Sequence, residues 1–178
     1  MPEPAPTVDR RVALLIEEDF DDGEVTGVIV ALRAAGVGVT LVGPWAGRQF
    51  HDKDHTVTVS SDVAAAKARA ADFDAVVIPG GYAPDRMRMR HAMVDFARDM
   101  LAAGKPVAAI CRGAQLLISA NVLHGRTVTC WPSIAIDVKN AGGLYVDRPV
   151  TVDGNLITSR KADDVRAFTD ALVAALTA

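Results

Sequence analysis

The sequence predicts a three-layer α/β fold around a mostly parallel sheet, and three observations carry that expectation. Short continuous apolar runs alternate with stretches of helical period from residue 12 to the C-terminus. The runs lack the in/out alternation of a half-solvated strand, as strands buried on both faces do. The chain has 178 residues, half of them hydrophobic and 23% charged, which suits one core rather than two.

Residues 1–10, MPEPAPTVDR, hold three prolines and no apolar segment of the kind a secretory signal needs, so a loose tail is expected ahead of a single domain over 11–178. Residues 12–16 are the first buried strand, ending abruptly at Glu17. A helix follows, with Asp22 as its N-cap, Val25, Val28, Ile29 and Leu32 as its apolar face and Gly36 as its stop. Residues 37–42 restore a strand, 56–60 suit a small exposed hairpin or edge, and the alanine-rich 62–70 reads as a helix. The strand at 75–78 is closed by Pro79, Gly80 and Gly81, and a helix over 90–103 ends at Gly104. Strand 106–110, helix 112–120, short strand 127–130 and helix 133–140 come next. A hairpin at 150–152 and 156–158 turns on Asp153-Gly154, and a helix over 163–176 closes the chain.

Composition removes several function classes. Nineteen Lys plus Arg against twenty-two Asp plus Glu leave a formal charge of −3, so no general field gathers nucleic acid. No apolar run nears the roughly 20 residues that span a bilayer, so no membrane partner is expected. Two cysteines, Cys111 and Cys130, are too few for a disulfide scaffold or a structural zinc cluster, and a reducing cytoplasm is the natural setting. The acidic run 17–22 lacks the glycine and terminal glutamate of a calcium loop, so no metal and no cofactor are assigned.

In such sheets the reactive groups gather beyond the carboxyl ends of the strands, here residues 17–24, 79–85 and 110–113. Ala109-Ile110-Cys111-Arg112-Gly113 has a small residue two before the cysteine and a glycine two after, at a strand-to-helix junction. That is the layout of a nucleophile elbow with Cys in place of Ser. A helix N-terminus there would favour the thiolate, and the amides of Arg112 and of the Gly80-Gly81 turn would face a reacting atom. The alternative is an ordinary buried cysteine, which needs no such glycine pattern.

The runs VVIPGGYAPDRMR (76–88), KPVAAICRGAQLLISANVLHGR (105–126) and VDGNLITSRKADD (152–164) resemble the PfpI intracellular-protease family of the ThiJ/PfpI superfamily, related to a protein deglycase, from residue 12 to the C-terminus. The resemblance implies a flavodoxin-like sandwich, a homodimer, a reactive Cys111 and an oxyanion site from the backbones of Gly81 and Arg112. It also implies that Glu24 stands against the cysteine sulfur. Independently, Glu24 lies one turn before Val28 at the border of the apolar stripe, so it can point inward while Asp19, Asp21 and Asp22 face water. A desolvated carboxyl holds its proton and can share it with a thiolate. The bland alternative is a first-turn acid that complements the helix dipole.

Two positions depart from the family pattern. Arg112 stands where the protease members carry histidine, and Trp131, which with Gly80 would line the pocket, stands where another branch supplies one. A guanidinium beside Cys111 would favour thiolate or hold an anion, or else point to solvent. Among the histidines, His91 and His124 read as surface residues, while His51 and His55 in the exposed hairpin reach the site only if a second subunit brings them. Cys130 is either a resolving thiol or, as the better reading, a buried structural one. The resemblance then implies a stress-associated, cysteine-dependent enzyme of the glyoxalase or deglycase type, acting on a small carbonyl or a modified protein. The alternatives are a peptidase or amidase lacking its adjacent histidine, and a non-catalytic redox sensor in which Cys111 is oxidised.

Overall fold

The computed structural model describes residues 9–178. In chain order the elements are β1 (Arg11–Leu15), α1 (Asp22–Ala34), β2 (Gly38–Gly43), β3 (Gln49–His51), β4 (Thr58–Ser60), β5 (Val63–Ala64), β6 (Ala75–Ile78), α2 (Ala83–Met87) and α3 (His91–Ala102). They continue with β7 (Val107–Ile110), α4 (Ala114–Ser119), β8 (Thr127–Val128), α5 (Ala135–Asn140), β9 (Leu144–Tyr145), β10 (Val150–Asp153), β11 (Leu156–Ser159) and α6 (Val165–Thr177). Seven strands form one sheet in the order β10-β11-β7-β6-β1-β2-β5, parallel except for the antiparallel β10–β11 pair. The strand-by-strand reading therefore holds for six of the seven strands of the main sheet. Val12, Ala13, Leu14, Leu15 and Ile16 are fully buried, as are Val76, Val77 and Ile78, because helices cover both faces of the central strands. α1 packs on α6, and α3 on α4. No helix among the described residues is long and apolar enough to cross a membrane.

Three local expectations are corrected. The alanine-rich 62–70 is no helix: Val63 and Ala64 pair with Val42 and Gly43 as the sheet's edge strand, and single 3-10 turns at Ala65–Lys67 and Ala70–Asp72 follow. Nine residues with a weak apolar face cannot hold a helix against an open sheet edge. The strand expected over 127–130 is two residues long and pairs with β9 outside the main sheet. The cap of α1 is Asp21, whose Oδ1 accepts the Glu24 amide at 3.1 Å, rather than Asp22. Of the loose tail expected over 1–10, residues 1–8 lie outside the described residues. Arg10 is tied down, its carbonyl accepting the Gly38 amide at 2.9 Å and its guanidinium 3.4 Å from Asp74.

The strand order positions the site. The chain leaves β1 on one side for β2 and returns on the other through β6, so the sheet's direction of growth reverses between β1 and β6. At such a reversal the loops at the carboxyl ends part and leave a crevice. The connections after β1, β6 and β7 line it, and they carry Glu24, the Gly80-Gly81 turn and Cys111.

Candidate active site

Cys111 follows β7 directly and has φ +60, a left-handed conformation that few non-glycine residues adopt. One 3-10 turn over Cys111–Gly113 carries the chain from the strand into α4. The turn is closed on two sides. A Cβ on Gly113 would run into the Ile78 carbonyl oxygen, and the Cys111 carbonyl accepts the Trp131 amide at 3.0 Å. Glycine is required at 113 because the Ile78 carbonyl of β6 lies directly against it.

Glu24 points inward from the first turn of α1 and is 1% exposed. Its Oε2 accepts the Gly80 amide at 2.6 Å, and its carboxyl is hydrogen-bonded to the Cys111 thiol. Gly80 sits so close that a Cβ there would lie 2.6 Å from Glu24 Oε2 and 2.9 Å from Cys111 Sγ. The amides of Gly81 and Arg112 both favour the ionised sulfur. Gly81 has φ +72, and a Cβ on it would lie 2.6 Å from the Asp19 carbonyl oxygen. Both glycines of the turn are thus used for close approach.

Burial governs the protonation of the pair. Desolvation, helped by the charge of Asp21, raises Glu24 from its ordinary 4.5 to about 8, against the opposing Gly80 hydrogen bond. Cys111 is 6% exposed, and desolvation first, then the Glu24 charge and the hydrogen bond to it, push its thiol up to about 12. The two amides pull the other way and are outweighed. The expectation of a resting thiolate favoured by a helix N-terminus is corrected accordingly: α4 is short, the sulfur is buried, and the repulsive part of the rise lasts only while Glu24 is ionised. At neutral pH the carboxyl keeps its proton, as expected.

Around this pair lies a cavity of about 460 Å³ lined by Asp21, Glu24, Lys53, Gly81, Tyr82, Cys111, Arg112, Trp131 and residues 161–163. Gly80 stands behind it, between the Glu24 and Cys111 side chains. The Arg112 guanidinium lies 5.3 Å from the centroid of the Tyr82 ring and 5.4 Å from that of Trp131, between the two aromatic faces. It is neither free in solvent nor the group that acts on the sulfur, which it reaches through its amide. Cys130 is fully buried and both thiols are free, which fits the structural reading of Cys130.

The acidic connection is less solvated than its composition suggests. Glu17 is 4% exposed and lies 3.3 Å from Arg90, Asp21 takes Lys53 at 2.7 Å, and Asp19 is paired with Arg86. Of the acids expected to face water, Asp19 and Asp21 are thus turned into ion pairs. Lys53, Tyr82 and Lys161 are cavity residues that sequence reasoning missed; their only signal is position, and the pairing of Lys53 with Asp21 joins segments 32 residues apart.

The model of the DJ-1/PfpI family matches residues 10–175. The chain belongs to the DJ-1/PfpI family. Over 160 residues it is 42% identical to protein/nucleic acid deglycase 2 of Escherichia coli, covering 89% of this chain and 93% of that one. It is 42% identical over 158 residues to a deglycase of Pyrococcus abyssi, covering 89% and 94%. The crystal structure of Drosophila melanogaster DJ-1beta superposes with a TM-score of 0.87 at 29% identity, over 94% of this chain and 90% of that one. The flavodoxin-like sandwich expected from the resemblance is the fold of this family member. None of the four histidines lines the cavity, so neither Arg112 nor Trp131 is replaced by an imidazole from elsewhere in the chain.

Proposed function

We propose that this DJ-1/PfpI family member is a cysteine-dependent enzyme acting on small reactive carbonyls, free or as adducts on protein, with Cys111 as nucleophile and Glu24 as its proton carrier. The observation that supports this reading most is the convergence of the Glu24 carboxyl, the Cys111 thiol and the Gly81 and Arg112 amides on one cavity. Deglycase-named relatives at about 40% identity support an enzyme of this class. A carboxyl raised to about 8 is both an adequate base and an adequate acid near neutrality.

With methylglyoxal as substrate, Sγ adds to the aldehyde carbon. The π pair moves to the oxygen, where the Gly81 and Arg112 amides donate. In the minority ionised form that a carboxyl raised to about 8 retains near neutrality, Glu24 takes the thiol proton and passes it to that oxygen, leaving a hemithioacetal. Glu24 then takes the proton from the hemithioacetal carbon and returns it to the neighbouring carbonyl carbon, while the hemithioacetal hydroxyl proton moves to that carbon's oxygen, which gives a lactoyl thioester on Cys111. Water hydrolyses the thioester, releasing lactate and the thiol; the sum is methylglyoxal plus water to lactate. Because Cys111 is buried and its thiol raised, its ionisation is coupled to the substrate's arrival rather than complete beforehand.

The same features weigh against the alternatives. A peptidase would need an imidazole that no residue lining the cavity supplies, and a redox sensor is served by an exposed, acidic thiol, the opposite of Cys111. Our reading further includes a homodimer acting in the cytoplasm, with no nucleic-acid or membrane partner; light scattering of the purified protein tests the dimer. The test of function is lactate formation from methylglyoxal by wild type, Cys111→Ser and Glu24→Gln. The serine variant is expected to be inactive and the glutamine variant slower by about 100-fold or more. Turnover retained in Cys111→Ser sinks the proposal.

A further inference from the structure

The β3–β4 hairpin carries two histidines that the cavity does not use. His51 ends β3 and His55 lies four residues on in the connecting loop, their rings stacked with centroids 5.7 Å apart. Glu18, from the connection after β1, meets them there: its Oε1 is 2.8 Å from His51 Nδ1. One donor atom from each of Glu18, His51 and His55 falls within 4.8 Å of the other two. We propose that Glu18, His51 and His55 bind a divalent transition-metal ion of the zinc class, at a site separate from the catalytic cavity.

The donor chemistry fits that class. Two imidazoles and a carboxylate suit Zn²⁺, Co²⁺ or Ni²⁺, whereas Mg²⁺ and Ca²⁺ prefer oxygen alone. A tetrahedral ion with bonds of about 2.0–2.1 Å holds its ligand atoms roughly 3.3 Å apart. Side-chain rotations of about 1.5 Å therefore close the three donors around it, the ion taking the place of the Glu18–His51 hydrogen bond. With three protein ligands, the remaining position is open to water.

The backbone holds these residues in place without the ion. The His51 amide donates to Glu18 Oε1 at 3.2 Å, and the Asp19 amide to the His51 carbonyl at 2.9 Å, so the two segments are stitched together at the site. The buried Asp52 carboxylate gathers the amides of Thr56 and Val57, each at 2.7 Å, and that of Asp54 at 3.3 Å, which fixes the loop's path between the histidines. His55 has φ +57, a strained choice for a side-chain-bearing residue, and in that conformation its ring lies on His51. Asp19 Oδ1 stands 3.8 Å from His55 Nε2, a neighbouring carboxylate of the kind that orients metal-bound imidazoles. The histidine pair is separated by only four positions, but the glutamate is 33 residues before His51, so no local metal motif announces the set.

The test is a titration of tag-free, metal-stripped protein with Zn²⁺ alone by calorimetry, followed by Co²⁺ with visible absorption. One ion per chain is expected, with affinity falling at least about tenfold in His51→Ala and in His55→Ala and unchanged in a Cys111→Ser/Cys130→Ser double variant. Mg²⁺ at the same concentration should give no signal. The His51 and His55 side chains are 43% and 67% exposed, and circular dichroism checks that both variants stay folded. Absence of binding, binding indifferent to both histidine substitutions, or a sulfur-to-cobalt charge-transfer band lost with the cysteines would each overturn the assignment.

Discussion

Replacing Glu24 by glutamine removes a buried acid whose proton affinity differs between the folded and unfolded chain, and the effect on stability can be worked from the structure. Folded, the carboxyl is raised from 4.5 to about 8, chiefly by burial. A raised acid binds its proton more tightly when folded, so its favourable contribution is complete below pH 4.5, fades as pH rises and is gone above about 8. Each tenfold in proton affinity is worth about 1.4 kcal/mol, which bounds the total at about 5 kcal/mol and the slope at about 1.4 kcal/mol per pH unit. Glutamine keeps the shape and an acceptor for the Gly80 amide but does not titrate. Urea unfolding of wild type and Glu24→Gln from pH 5 to 8.5 should therefore give curves that diverge, with the variant gaining on wild type by several kcal/mol. Thermal midpoints should separate by about 10 °C or more at the alkaline end. Titrations common to both proteins cancel in the difference. A gap that stays constant within about 0.5 kcal/mol across this range would refute the buried, proton-holding Glu24.

The same substitution should lower the pH at which iodoacetamide labels Cys111, because the charge and the hydrogen bond by which Glu24 raises the thiol both disappear; an unmoved labelling profile would mean the two side chains do not communicate. Gly113→Ala should cost about 3 kcal/mol or more in urea unfolding, since the new methyl meets the Ile78 carbonyl oxygen, which is main chain and cannot swing aside. Gly80→Ala should instead spoil the site, its Cβ falling against Glu24 Oε2 and Cys111 Sγ, so turnover is expected to collapse in a protein that still folds. Arg112→Ala unstacks the guanidinium from two rings; a red-shifted Trp131 emission and a loss of about 1 kcal/mol are expected, measured by fluorescence and urea titration.

What could be read from the chain, and what could not, divides by range. The tight turn at Cys111 was legible because such a turn leaves its requirement for small residues in adjacent letters, and Gly113 is one. Glu24 was placed inward by its spacing from Val28, with the family resemblance choosing among the acids nearby. The fate of Glu17, Glu18, Asp19 and Asp21 was not legible, because their partners come from residues 51–55, 86 and 90. A run of acids looks solvated until the fold delivers its bases. The segment 62–70 failed for a related reason: alanine's helical preference is worth a few tenths of a kcal/mol per residue, and pairing with Val42 and Gly43 decides otherwise. The ionisation of Cys111 was misjudged because local sequence suggests a dipole, whereas burial is a property of everything packed around it.

The left-handed backbone at Cys111 sets the protein's interests against each other at a single position. Any side chain there works against the conformation that aims it at the cavity, and glycine alone would sit at ease. Exchange of this cysteine for glycine would accordingly ease the backbone and take the sulfur out of the cavity, so a Cys111→Gly variant separates the two demands.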